Sequence, residues 1–302
     1  MDAATTKEMA ALAQLRSAIG VLQQAAQNLK RAVAARDSHP ESHIPNPTSQ
    51  ATTPVAGAPS NQFDDLDSHK YVGFEDQFRG SPEDIRRRVT EYLPIFEGIR
   101  DQGSGIGDVL DVGCGRGEFL ELLREHGVRA RGIDVNPAMV EVCRANGIDA
   151  VTADALTYIR GVPDGSLGGL FAAQVVEHLE PRYLTQLLDA AFDKLRLGAP
   201  IVLETINPAC WFAFFESYIR DLTHVRPVHP DTLKYLLIAT GFQHVDIRYR
   251  APYPESEKLQ AVATRDEGPG IGDLVETVNA NVEKINRLLF TYLDYAAIGR
   301  RG

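Results

Sequence analysis

Val109-Leu110-Asp111-Val112-Gly113-Cys114-Gly115-Arg116-Gly117-Glu118-Phe119 reads as a buried strand, a glycine turn and the first turn of a helix. Such a turn cradles a nucleotide-like ligand, because backbone N–H groups and a helix N-terminus face one pocket. Two details narrow the ligand. The third glycine comes too early for G-x-G-x-x-G, where Glu118 would have to be glycine. Asp111 also puts a carboxylate inside the strand just before the turn. Acids here suit a ligand with an amino group and a positive centre, and suit a pyrophosphate poorly. A NAD-linked oxidoreductase is thereby disfavoured.

Working outward, residues 129–135 (RARGIDV) form a second strand carrying Asp134 at its carboxyl end. An acid about twenty residues past the glycine turn can accept both hydroxyls of an adenosine ribose. Asn136, followed by Pro137, is placed to cap the next helix. Residues 150–155 (AVTADA) read as a short third strand closing on Asp154, and 170–176 (LFAAQVV) as a fourth. The fourth is nearly all apolar, as a strand covered on both faces should be, and runs into Glu177-His178. Residues 200–206 (PIVLETI) make a fifth. Strands alternating with helices predict an α/β fold, a doubly wound, mostly parallel sheet with its site at the strand carboxyl ends.

The pattern D-x-G-x-G-x-G over residues 111–117 resembles the first motif of class I S-adenosylmethionine-dependent methyltransferases. That resemblance implies a seven-stranded Rossmann-like sheet whose last strand is antiparallel. Residues 244–249 and 295–300, flanking a helix over 271–290, would supply its final pair. It implies S-adenosylmethionine as cofactor, with Asp154 holding the adenine amino group. The cofactor set is then Asp111, Gly113, Gly115, Gly117, Asp134, Asn136, Asp154, Ala155 and Gln174, joined by Arg79. Arg79 either pairs with the methionine carboxylate of the cofactor or makes a surface salt bridge.

The chain has 302 residues and a formal charge of -10, enough length for one large α/β domain with an appendage. The acidic balance argues against a broad nucleic-acid face. Cys114, Cys143 and Cys210 show no C-x-x-C spacing and read as reduced thiols. No stretch is apolar enough for a signal peptide or a bilayer span, so a cytoplasmic protein is expected.

Residues 1–36 form a coiled-coil helix, in which Leu12, Leu15, Ile19, Leu22, Ala26, Leu29 and Val33 follow a heptad seam. It predicts self-association, most simply as a parallel dimer, or pairing with a partner helix; folding back onto its own domain stays open. Residues 37–62 are a Pro-, Ser- and Thr-rich tether that cannot bury enough surface to fold. The globular domain spans 63–302. Within it, Ser81-Pro82-Glu83-Asp84 starts a helix that Pro94 should end or kink. After the fifth strand, Trp211, Phe212, Phe214, Phe215 and Tyr218 read either as core or as a lid over a substrate.

F-R-G-S, D-V-G-C-G-R-G-E, Q-V-V-E-H-L, E-T-I-N-P and T-H-V-R-P-V-H-P together resemble bacterial methyltransferases of surface-polysaccharide and glycan synthesis. This implies methyl transfer to an oxygen acceptor, a sugar hydroxyl of a glycan first. Alternatives are a small-molecule acceptor, an RNA 2′-hydroxyl, or a scaffold whose fold binds cofactor but turns over poorly. A hydroxyl is a weak nucleophile and needs a proton acceptor or a metal nearby. Glu177, His178, His224 and His229 are the candidate catalytic residues. Residues 174–178 also resemble the E-x-x-E-H metal segment of ubiquinone-pathway and small-RNA O-methyltransferases, with Gln174 in place of the first glutamate. Glu177, His178 and His224 are therefore candidate ligands for Mg²⁺ or another divalent cation.

Overall fold

The computed structural model describes residues 80–97, 108–263 and 271–302. The coiled-coil helix, the tether and Arg79 lie outside the described residues. From Pro82 onward the chain forms one compact unit.

It opens with α1, Pro82–Val89, and α2, Leu93–Glu97, separated by a tight turn at Thr90–Tyr92. The break sits where expected. Pro94 has no N–H to give and its ring would strike the carbonyl of Thr90, so one continuous helix cannot run through. Then follow β1 (Val109–Val112), α3 (Glu118–Glu125), β2 (Ala130–Asp134), α4 (Pro137–Ala145), β3 (Ala150–Thr152), α5 (Ala155–Gly161) and β4 (Gly169–Ala173). The rest comprises α6 (Pro181–Lys194), β5 (Pro200–Ile206), α7 (Pro230–Thr240), β6 (Phe242–Pro252), α8 (Ile271–Leu289) and β7 (Tyr292–Arg301).

The seven strands lie in the order β3-β2-β1-β4-β5-β7-β6. The first five are parallel, and β7 runs antiparallel to both β5 and β6. Alternate strand residues face opposite helix layers. Val109, Phe171 and Val202 pack with Ile85, Tyr92, Phe96 and Phe119 from α1–α3. Leu110, Leu170, Ile201 and Leu203 pack with residues of α5, α6 and α7. Burial of both faces explains why β5 is apolar almost throughout, and it makes the one acid inside that strand, Glu204, conspicuous.

Two strand ends differ from the sequence expectation. β3 stops at Thr152 and Asp154 caps α5, accepting from the N–H of Thr157 at 2.8 Å. An Asp side chain that can satisfy a helix N-terminus outcompetes strand continuation there. β4 stops at Ala173, because Gln174 takes a left-handed backbone with φ 57° that no strand accommodates. Cys114, Cys143 and Cys210 are free and buried, as expected of reduced thiols. No helix among the described residues is long and apolar enough to cross a membrane.

Candidate functional site

Every candidate cofactor residue that is described falls at or just beyond the carboxyl ends of β1–β4. Gly113, Gly115 and Gly117 all have positive φ, at 68°, 54° and 89°. Gly113 is required twice over: a Cβ there would also lie 2.5 Å from Cγ2 of Val175. Asp134 ties the turn down. One carboxylate oxygen accepts from the N–H of Gly115 at 2.9 Å and the other from the N–H of Asn136 at 2.8 Å. Asn136 in turn caps α4, accepting from the N–H of Ala138 at 3.0 Å. The acid that would take the ribose hydroxyls is therefore held between the glycine turn and the next helix start. Asp111 is buried within β1.

Asp154 is more occupied than its assigned role suggests. The hydroxyl of Tyr183 on α6 donates to one oxygen at 2.6 Å, and Thr157 Oγ1 donates to the other at 2.7 Å. Burial alone would raise this carboxyl, but the hydrogen bonds from Tyr183 and Thr157 outweigh it and hold it below the ordinary value. Ala155 is the first residue of α5. Tyr183 had no motif to mark it in the sequence.

Gln174 joins the cofactor side to a second polar group. Its N–H donates to the carbonyl of Glu204 at 2.8 Å, and its Nε2 to Asp294 at 3.3 Å. These two bonds, to β5 and β7, hold Gln174 in a left-handed backbone uncommon for a non-glycine residue. Burial, then the nearby charge of Glu204, push the Asp294 carboxyl up to about 7, against the opposing pull of Arg88. Tyr92 donates its hydroxyl to Glu204, and burial raises that phenol strongly.

The acceptor-side candidates divide. Glu177, His178 and His224 converge, each offering a ligand atom, with these atoms within 4.8 Å of one another. Glu177 is fully buried in a tight turn over Val176–His178. The loop carrying His224 is pinned to it, since the carbonyl of Glu177 accepts from the N–H groups of Val225 at 2.8 Å and Arg226 at 3.2 Å. His229 does not join them. It caps α7, its Nδ1 accepting from the N–H of Asp231 at 3.2 Å, because Pro230 opens that helix and leaves the orphan N–H to be met.

The ring orientations are set by neighbours. Asp221 accepts the hydroxyl proton of Thr223 at 2.6 Å, so Thr223 Oγ1 accepts in turn from His178 Nδ1 at 2.9 Å. His224 Nδ1 lies 2.6 Å from the carbonyl of Tyr218, which can only accept. With both Nδ1 atoms acting as donors, the neutral rings carry their lone pairs on Nε2. A buried carboxylate beside two imidazoles so oriented is a donor set that fits a divalent cation, with the outer groups that hold such ligands already in place. Asp221 and Thr223 were not singled out from the sequence.

Residues 77–247 match the family model for a methyltransferase domain, more than half of the chain. The chain belongs to this methyltransferase family. A solved structure, a S-adenosylmethionine-dependent methyltransferase from Archaeoglobus fulgidus, is similar at 38% identity and TM-score 0.69, covering 76% of this chain and 99% of that one. The methyltransferase also resembles "O-methyltransferase resE" of Aspergillus sclerotiorum, 27% identical over 82% of this chain and 98% of that enzyme. The mitochondrial ubiquinone biosynthesis O-methyltransferase of Schizosaccharomyces pombe is 30% identical, but over 33% of this chain and 38% of its own length. The methyltransferase is S-adenosylmethionine-dependent.

Proposed function

We propose that this methyltransferase moves the methyl group of S-adenosylmethionine to a hydroxyl oxygen of an acceptor seated against Glu177, His178 and His224. The observation that carries the reading is the convergence of these three groups, with both rings turned to the same tautomer by Thr223 and Tyr218. A sulfonium activates its own methyl, so the protein has to align the acceptor oxygen and help it lose its proton. O-methyltransferases among the similar proteins support oxygen as the acceptor atom. The glycan-type motifs favour a sugar hydroxyl as the acceptor class.

The same three residues would hold a divalent cation, which when bound lowers the pKa of an oxygen beside it. Two imidazoles and one carboxylate suit a borderline ion such as Zn²⁺ or Co²⁺ better than Mg²⁺ among the divalent cations expected. Without a cation, His178 or His224 accepts the proton directly at Nε2.

Labelled S-adenosylmethionine offered with glycan, lipid-linked glycan and small-RNA pools tests the acceptor. Chelated enzyme tests the cation: if the three residues hold one, transfer should stop while cofactor affinity is kept, and Zn²⁺ or Co²⁺ should restore it. Transfer that survives both His178→Ala and His224→Ala would overturn the reading.

A further inference from the structure

The segment from residue 211 to 226, which brings His224 to the site, is unusual in what it leaves in solvent. Trp211 is 48% exposed, Phe215 59%, Ile219 52%, Leu222 96% and Val225 41%. Single exposed apolar residues are ordinary, but five on one short segment are not. By typical side-chain areas their exposed parts sum to roughly 500 Å² of apolar surface. Trp211, Phe215 and Ile219 recur every fourth residue through a helical turn that continues as a π-type turn, which places them on one face.

This edge is joined to the site by touching rings. Trp211 meets Phe215 at 6.4 Å between centroids, Phe215 meets Phe214 at 5.3 Å, and Phe214 stacks on Tyr218 at 5.5 Å. Tyr218 stacks on His224 at 4.7 Å, and His224 lies 4.6 Å from His178. A continuous chain of touching rings thus links the solvent-exposed edge to the two imidazoles. Its charges are Glu216, Asp221, Arg220 and Arg226, two of each sign, so the edge is neutral in a chain of formal charge -10. It does not share the repulsion that the rest of the surface has for an anionic layer.

We infer that this edge docks on a lipid surface, and that the acceptor hydroxyl reaches the site on a molecule anchored in that surface by an apolar chain. Tryptophan, phenylalanine and leucine beside arginine are the mixture that settles at a bilayer interface. The inner end of this ring chain is the imidazole pair proposed to face the acceptor. A protein partner seated on the edge would stand between solvent and that pair, whereas a lipid layer holding the acceptor would bring the acceptor to it. The second half of the inference rests on the proposed acceptor site; the docking itself does not.

Trp211 is the chain's sole tryptophan, so its fluorescence reports on the edge directly. The full-length protein is mixed with vesicles of phosphatidylcholine, alone or with phosphatidylglycerol. Trp211 emission should shift to the blue, doxyl-labelled lipid should quench it, and protein should sediment with the vesicles. Leu222→Asp and Phe215→Asp should each weaken partitioning about tenfold or more, while His224→Ala leaves it unchanged. Leu222→Asp should also cost transfer to a lipid-anchored hydroxyl acceptor but not to its short-chain analogue. Unmoved emission with protein left in the supernatant would overturn the inference, as would equal vesicle binding by Leu222→Asp. None of the binding readouts needs turnover, so they stand or fall apart from the chelation and histidine variants that test methyl transfer.

Discussion

The proposed cofactor half of the site and the proposed acceptor half are built by different means. Around β1–β3 the geometry is carried by backbone: three left-handed glycines, two N–H groups on Asp134, and a helix cap at Asn136. Around Glu177 it is carried mainly by side-chain relays, Asp221 on Thr223 and Thr223 on His178, with the Tyr218 carbonyl fixing the His224 ring. Backbone geometry is fixed by short-range sequence and serves one invariant ligand. Side-chain relays can be rewired by single substitutions, which suits the half that must recognise whatever acceptor a given enzyme uses.

The largest expected effect belongs to His224→Ala. Turnover should fall about a hundredfold or more, with the dissociation constant for S-adenosylmethionine within about twofold, as single-turnover rates and calorimetry would show. An equal loss of cofactor affinity would break the separation between halves. Thr223→Val keeps the ring but removes its orienting acceptor, and should cost about 10–100-fold in rate. Gly113→Ala tests where the halves meet, because its Cβ would strike Val175 at the start of the acceptor turn. It should destabilise the fold by about 1–3 kcal/mol and disturb both cofactor affinity and turnover, read by thermal melts and kinetics. Asp134→Ala should cost about tenfold in cofactor affinity, about 1.4 kcal/mol, and leave the rate at saturating cofactor nearly unchanged.

The smallest effect is one of pH. Asp294 titrates near 7 in the folded protein, against 3.8 in an open chain. Between those values the native state keeps a proton that the unfolded state has released, so stability is present below about pH 4 and is lost as pH rises through 7. Asp294→Asn should flatten that dependence. Its thermal midpoint relative to the parent should rise between pH 5 and pH 7.

Legibility from sequence followed the same division. The glycine turn, Asp134 and the Asn136 cap lie within about 25 residues and declare themselves by spacing. Asp154 was placed in a strand because A-V-T-A-D-A alternates acceptably; the capping competition that moves it off the strand depends on the helix after it. Glu177, His178 and His224 could be named as candidates, yet nothing local tells that residues 178 and 224 share a pocket while 229 does not. One sign was present. Histidine directly before Pro230 stands at a helix cap, and a cap is a structural occupation. The relay through Asp221 and Thr223 was hidden because the hydrogen bond that matters spans 45 positions, although D-x-T does advertise an Asp-centred turn.

The position of β7 between β5 and β6 has a consequence for synthesis on the ribosome. Among the described residues β6 pairs only with β7, so when Phe242–Pro252 emerges it has none of the other described strands to join. The growing chain holds an open β5 edge until Tyr292–Arg301 follows, about 95 residues after Ile206, or roughly 5–20 s at ordinary elongation rates. During that interval the row of N–H and C=O groups on β5, in a strand apolar almost throughout, is a template for pairing with another chain. Residues 253–291 thus set a waiting time, and lengthening that stretch would extend the period in which the nascent protein must be kept from its neighbours.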